Sequence, residues 1–391
     1  MSIPRAKLLD RLAGSLLIRA LLPARWLRDL LSDDRPLQGV REIVVTKFWG
    51  IGNVALLIPV LDDLKRRYPG ARLSVVTLEI NRSLFEGVAD RIWTVRMKPL
   101  DCAVRDLVRA GTALRRLDID LAIDFEHYVR TSQPLLFLSG ARQIIAFDTA
   151  GLNRATLADV RVPYDNERHA SEGYLDLARA AGVRRAHYEA GGLAPTVDAQ
   201  RSVDALLEPH AAAEAPLVVL HPGSGDNFPG RRWPTRRFGL LARRLIDERG
   251  ARVAVTAGAG EADLVREVVE ASERPLLDLA GKLTLDELVA LLARSDLLVA
   301  NDTGPVHLAS ALGVPVLGLY GPNTPALYGP LSANSRAFYE PPPCSPCMTN
   351  FNYKTSRCLN PVCIRAIQLD TVAQAALRRL DRAERRRGSG A

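Results

Sequence analysis

The stretch LLVANDTGPVHLASALGVPVLGLYGPNTP, residues 297–325, gathers Asn301, Asp302, Thr303, Gly304 and His307 within seven positions. The apolar run before it predicts a buried strand ending at Ala300, with Asn301 and Asp302 at its carboxyl end. A helix is then expected to start near Thr303, with Pro305 in its first turn, where a missing N–H costs nothing. Gly304 lets the backbone approach a ligand, and the orphan N–H groups of that turn suit an anion. His307, one turn in, can add a donor or a positive charge. Asp302 as a plain helix cap and His307 as a structural histidine are the bland alternatives. The combination at one strand-to-helix turn favours a diphosphate site.

Three other segments aim at the same place. HPGSGDNFPGRRWP leaves a predicted strand with Gly223, Ser224 and Gly225, followed by Arg231 and Arg232, so backbone donors and guanidinium groups stand ready for phosphate oxygens. VTAGAGEADL carries Glu261, placed to accept from a ribose hydroxyl, and DLAGKLTLDEL contributes Lys282. Together they describe a nucleotide pocket in the second half of the chain.

These turns need a sheet to hold them. Short β-rich runs at 42–47, 72–78, 119–124 and 143–147 alternate with helical stretches such as 53–67 and 101–117, and the alternation restarts after about residue 200. Strands separated by helices mean βαβ units and parallel sheets. The expected architecture is α/β, with two doubly wound, Rossmann-like domains facing each other across a cleft. The expected division is a basic amphipathic extension over 1–40, a first domain over 41–205, a second over 215–365, and a C-terminal helix with a basic tail over 366–391. An alanine- and proline-punctuated linker is expected at 204–216.

Size and charge narrow the functions. The 391 residues carry 52 basic against 44 acidic side chains, a net +8 concentrated at the two ends. Aromatic residues are 6% and no base-reading motif accompanies the arginines, so nucleic acid is not the expected partner. An anionic membrane surface or an anionic substrate fits better. The leucine-rich LLDRLAGSLLIRALLPARWLRDLL has no uncharged apolar run near the roughly 20 residues of a membrane span. It is read either as an interfacial helix broken at Pro23 or as a helix packed on the protein's own surface. Five cysteines and no secretory leader point to a reducing, cytoplasmic setting.

The stretches NDTGPVHLASALGVPVLGLYGPNTP, HPGSG…RRWPTRRFGLLARRL, LAGKLTLDELVALL and KFWGIGNVALLIPVLDDLKRRYPGARLSVVT resemble glycosyltransferase family 9, whose best-known members are the ADP-heptose:lipopolysaccharide heptosyltransferases. The resemblance implies a GT-B fold with the acceptor on the N-terminal domain, a nucleoside-diphosphate sugar on the C-terminal domain, inversion at the sugar, and no required cofactor. It implies a bacterial envelope glycan or lipid-linked acceptor, and with it the cytoplasmic face of the inner membrane as the surface on which the protein would be peripheral. Carried over by position, Asp302, Thr303, Gly304 and His307 hold the diphosphate with Ser224, and Glu261 faces the nucleoside. Arg231 stands where the family commonly has lysine.

In this resemblance the glycine turn after the first strand, Gly50-Ile51-Gly52-Asn53, lines the acceptor side rather than cradling phosphate. Heptosyltransferases usually carry an aspartate directly after the second glycine as catalytic base. This chain has Asn53, whose carboxamide can orient a hydroxyl but cannot take its proton. The replacement base is sought in DLAIDFEHYVR, at Asp124 or Glu126, with His127 beside them and His169 as a further acceptor contact. A nucleotide-sugar epimerase or hydrolase, or a non-catalytic nucleotide-sugar-binding module, are the competing classes. Finally, Cys344, Cys347, Cys358 and Cys363 form two close pairs that could hold a structural zinc or iron, against reduced thiols as the alternative.

Overall fold

A computed structural model describes residues 3–31, 39–208, 215–225, 228–350, 352 and 354–388. Positions 32–38 of the expected extension, 209–214 of the expected linker and 389–391 of the tail lie outside the described residues. The chain divides into two compact units, Met1–Tyr188 and Glu189–Ala391.

In the first unit the strands are β1 (Glu42–Lys47), β2 (Arg72–Leu78), β3 (Arg91–Val95), β4 (Leu121–Asp124), β5 (Gln143–Asp148) and β6 (Val160–Pro163). They form one parallel sheet in the order 3-2-1-4-5-6. In its centre Val45 lies between Val75 and Ile123. Every residue of β1 is buried, as a strand covered by helices on both faces requires. The second unit repeats the plan with β7 (Leu217–His221), β8 (Arg252–Val255), β9 (Leu277–Asp278), β10 (Leu297–Asn301), β11 (Val316–Tyr320) and β12 (Arg336–Tyr339). Their order is 12-11-10-7-8-9, all parallel. The core of that unit closes around Trp233, whose indole N–H donates to Ile367 O at 2.9 Å.

Each order reverses at one point, between β1 and β4 in the first sheet and between β7 and β10 in the second. Crossovers leave toward opposite faces there, and the strand ends open into a crevice. The glycine turn follows β1 and the Asp-Thr-Gly turn follows β10, so the two turns singled out in the sequence each stand at the switch point of their own sheet. The doubly wound α/β expectation holds for both units.

The N-terminal helix, Ile3–Leu31, runs on through Pro23 rather than breaking there. Anchors on both sides of the proline hold it to the first unit. Before it, Asp10 accepts from the backbone N–H groups of Arg130 and Thr131 and from the Thr131 hydroxyl, capping the short helix Ser132–Leu138 from outside. Gly14 lies so close that a Cβ there would sit 2.5 Å from the Arg130 Cβ. After the proline, Arg25 and Arg28 both pair with Asp159.

Candidate functional site

In the second unit, β10 ends on Asn301, which is fully buried and stitches two loops together. Its Oδ1 accepts from Trp233 N at 2.9 Å, and its Nδ2 donates to Pro222 O at 2.8 Å. Asp302 follows, with Oδ2 accepting from Asn323 Nδ2 at 2.9 Å. It does not cap the helix Gly304–Ala311. The N-cap is Thr303, whose hydroxyl turns back to Asn301 O at 3.0 Å and leaves the helix start without a side-chain cap. Pro305 sits in the first turn as expected. His307 is buried one turn in, edge-on to the Tyr328 ring at 6.2 Å, and the Lys354 ammonium lies 3.2 Å from the centre of that same ring.

The loop after β7 reaches this turn through Arg231. Its guanidinium donates to Asp302 O at 2.8 Å and to Ser224 O. Ser224 Oγ in turn accepts from Arg232 Nε at 3.0 Å. Ser224, Arg231, Glu261 and Asp302 are therefore one connected group, with Thr303, Gly304 and His307 directly following. Lys282 stands outside the group: it is exposed, its ammonium donating to Asp278 O at 2.7 Å.

Glu261 is turned inward in this structure. Its Oε1 accepts from Ser224 N at 2.9 Å, Gly225 N at 3.0 Å and Arg232 Nη2 at 2.8 Å, while Oε2 accepts from Gly258 N at 3.2 Å. The small-residue loop is thus an anion cradle filled by the chain's own carboxylate. Gly223 is required beside it, because a Cβ there would lie 2.3 Å from Glu261 Oε2. Burial alone would raise this carboxyl, but the Ser224 and Gly258 N–H groups and Arg232 outweigh it and hold it below the ordinary glutamate value. Nearby, burial pushes His221 down to about 4 against a weaker pull from Glu261, so the ring is neutral at neutral pH.

In the first unit, Gly50 has φ +87°, and a Cβ there would meet Asn53 Nδ2 at 2.8 Å. The helix Ile51–Arg67 starts directly after it with no side-chain cap. Gly52 is buried in its first turn, and Asn53 is half-buried with Nδ2 3.5 Å from Trp49 O. Behind this turn lie Asp124 and Glu126, both fully buried. Asp124 accepts from Thr46 Oγ1 at 2.7 Å, Glu126 N at 3.1 Å, Ser132 Oγ at 2.7 Å, Gln133 Nε2 at 2.6 Å and the buried Arg154 guanidinium. Glu126 Oε1 accepts from Phe48 N at 2.6 Å and Trp49 N at 3.0 Å, and Oε2 lies 3.3 Å from Lys47 Nζ. Burial lowers the Lys47 ammonium from its ordinary value, against the opposing pull of Glu126. His127 stacks on Tyr164 at 4.6 Å, and His169 is the N-cap of the helix Ala170–Ala180, accepting from Ser171 N.

The cysteines do not assemble as a tetrahedral set. Among the described residues no three His, Cys, Asp or Glu side chains form a metal-holding group. Cys344 is exposed and Cys347 lies 3.2 Å from Ser356 Oγ. Cys363 is buried, and that burial, with Cys347 and Cys358 adding to it, favours its neutral thiol.

Sequence reasoning missed Lys47, Arg154, Asn323 and Lys354. A lysine closing an apolar strand, as in IVVTK, was a usable signal for the first. The others have none, since only the folded chain brings them to their partners.

The model of glycosyltransferase family 9 (heptosyltransferase) matches residues 107–355. The chain belongs to this family. Lipopolysaccharide heptosyltransferase 2 of Escherichia coli K12 is 35% identical over 129 residues, 32% of this chain and 36% of that protein. The match thus spans only about a third of that relative. Lipooligosaccharide heptosyltransferase 2 of Haemophilus influenzae is 27% identical over 304 residues, 74% of this chain and 86% of the relative. The solved E. coli ADP-heptose lipopolysaccharide heptosyltransferase II shares the fold, with a TM-score of 0.68 at 21% identity over 88% of this chain and 99% of that one.

Two outcomes follow from the buried charges of this glycosyltransferase family 9 chain. Asp124→Asn leaves Arg154 buried without its counter-ion and is expected to cost about 3–5 kcal/mol, read as a lowered midpoint in urea unfolding. Acid should also destabilise the protein in two stages. The unfolded chain protonates its histidine near 6.5 while folded His221 resists to about 4, so stability falls as pH drops through that window. Glu261, depressed in the fold, adds a loss that begins below the ordinary glutamate value of 4.5. Thermal melting against pH should show both, and His221→Gln should flatten the first stage only.

Proposed function

We propose that the chain is a glycosyltransferase that moves a sugar from a nucleoside-diphosphate donor, bound by the second unit, to a hydroxyl presented at the Gly50–Asn53 turn of the first. ADP-heptose is the donor suggested by the relatives' names, and an envelope glycan or lipid-linked acceptor is the acceptor they suggest. The observation that carries the reading is the uncapped start of the helix Gly304–Ala311 at a switch point, backed by Arg231 and His307. A diphosphate placed there would meet free backbone N–H groups and the positive end of the helix dipole. These same groups would stabilise the charge that grows on the diphosphate as the bond to the sugar breaks.

The acceptor oxygen attacks the sugar carbon, the diphosphate leaves, and the hydroxyl proton needs a base. Asn53 orients the hydroxyl. Of the two carboxylates behind it, Asp124 has both oxygens occupied by donors, whereas Glu126 Oε2 has, among the described residues, the Lys47 ammonium alone against it. Glu126 is therefore the base in this reading and Asp124 a positioning residue. Arg231, Thr303 and His307 act on the leaving group without a cofactor.

Calorimetric titration with ADP, UDP, GDP and CDP tests the donor site. One nucleotide should bind; His307→Ala should weaken it by about tenfold or more, the loss of roughly one charge-assisted contact, and Asp302→Ala, which removes the acceptor of Asn323 beside Arg231, should weaken it as well. Failure of every nucleotide to bind folded protein overturns the donor assignment. Glu126→Gln should leave nucleotide affinity intact and lower turnover by about 10²–10⁴-fold, the usual worth of a general base. Unchanged turnover moves the base elsewhere, and binding without turnover in the wild-type chain favours the non-catalytic module that Asn53 also allows.

A further inference from the structure

The N-terminal helix is anchored on one side only. Gly14 and Ile18 are buried against the first unit, and Arg25 and Arg28 hold Asp159. The opposite side exposes Leu12, Leu16, Trp26, Leu27, Leu30 and Leu31, with Leu16 and Trp26 at 66% and Leu31 at 77% exposure. Over 29 residues, roughly 43 Å of helix, this is far more unpartnered apolar surface than isolated exposed leucines explain. Among the described residues no helix is long and apolar enough to cross a membrane.

A second exposed stripe belongs to the same unit. The helix Leu100–Leu114 exposes Leu100, Val104 and Val108 at a four-residue spacing. The short helix Ser132–Leu138 packs against both it and the N-terminal helix and adds exposed Leu138. Around these stripes the exposed charge is mostly basic: Arg11 and Arg19 on one helix, Arg105, Arg109, Arg115 and Arg116 on and just after the other. The exposed acids on the two helices, Asp29 and Asp101, are each paired with an arginine of their own helix.

We propose that this face of the first unit docks on an anionic lipid surface, with the N-terminal helix lying in the headgroup plane. A lipid fits better than a second copy of the chain for a specific reason. Read as a heptad seam, the outward row is Leu12, Leu16, Arg19, Pro23, Trp26 and Leu30. Arg19 and Pro23 then fall where knobs-into-holes packing needs apolar side chains, and a dry interface would bury an arginine without a partner. At a bilayer, Arg19 can extend its charge to lipid phosphate while its stem and the leucines enter the acyl boundary. Trp26 is at home at that depth. The inference goes beyond the donor reading and does not rest on it, since it concerns the first unit alone.

The test is co-sedimentation of the full chain with phosphatidylcholine vesicles, with and without phosphatidylglycerol. Binding should be about tenfold or more tighter with the anionic lipid and should weaken as salt is raised. Leu16→Glu/Leu27→Glu should reduce it by at least about tenfold at an unchanged melting temperature. In the wild type, brominated phosphatidylglycerol should quench a blue-shifted emission component that Trp26→Phe removes, a readout that needs no fold-threatening variant. Absence of binding to either vesicle overturns the proposal, as does binding that the Leu16/Leu27 variant leaves unchanged. Concentration-dependent dimerisation abolished by that variant, without vesicle binding, overturns it in favour of a second copy. Nucleotide titration of the same preparations keeps the two readings apart: vesicle binding without nucleotide binding sinks the donor site alone.

Discussion

In both units a buried glutamate answers two consecutive backbone N–H groups in the loop that follows the first strand of the sheet. Glu126 accepts from Phe48 and Trp49 after β1, and Glu261 accepts from Ser224 and Gly225 after β7. The constraint behind this is general. A loop at a parallel sheet's switch point has left the ladder but is still enclosed, so its N–H groups need acceptors that are not strands. A carboxylate satisfies two at once and fixes the loop's curvature. The glutamates come from different sides, one after β4 and one after β8, so the likeness arises from the same physical demand rather than from one repeated connection.

The two carboxylates are balanced differently. Glu126 is fully buried, and a buried charge needs a partner, which explains a lysine at the end of β1 with its ammonium 3.3 Å away. Asp124 and Arg154 form a second enclosed pair beside it. Such pairs add little net stability, because desolvation offsets most of the attraction, but each member is costly to remove. They tie the end of β1 and the turn before Asn53 to β4 and the loop after it. Glu261 is nearer to solvent and is balanced by Arg232, with Arg231 left to join the Ser224 and Asp302 loops. The second unit therefore keeps cationic groups next to its open helix start, whereas the first keeps its ions behind the turn.

The central strands were legible because burial on both faces writes continuous apolar runs: β1 and β2 fall on the residues the pattern indicates. The edge strands β3 and β6 were not. RIWTV is half-exposed along most of its length and VRVP alternates, so neither reads as a buried strand. The Asp-Thr-Gly turn was legible because glycine, proline and polar residues mark the break between strand and helix periods. What each polar side chain does there was not. Glu261 reads in sequence as placed to accept from a ribose hydroxyl, and in the folded loop it also holds three backbone N–H groups and Arg232, which nothing local announces. Asp124 looks like a strand-end acid, and its partner Arg154 is thirty residues away with nothing local to announce it.

Asn53 carries the last step of the argument. It occupies the third position of the helix Ile51–Arg67, counted from an N-cap glycine whose own conformation excludes a side chain. A carboxylate at that position would gain about 0.3–1 kcal/mol from the helix dipole and the unbonded N–H groups. The chain forgoes that gain, so stability alone does not account for the amide. An ionised group there would add a second negative charge to a turn whose Phe48 and Trp49 N–H groups already hold the Glu126 carboxylate. With a neutral Asn53, Glu126 keeps its grip on the two N–H groups and its pairing with Lys47, and Asp124 keeps its pairing with Arg154. The asparagine thus leaves the helix start without an ionised side chain, and the ionisable side chains of this region stand behind the turn, on and after β4 and at the end of β1.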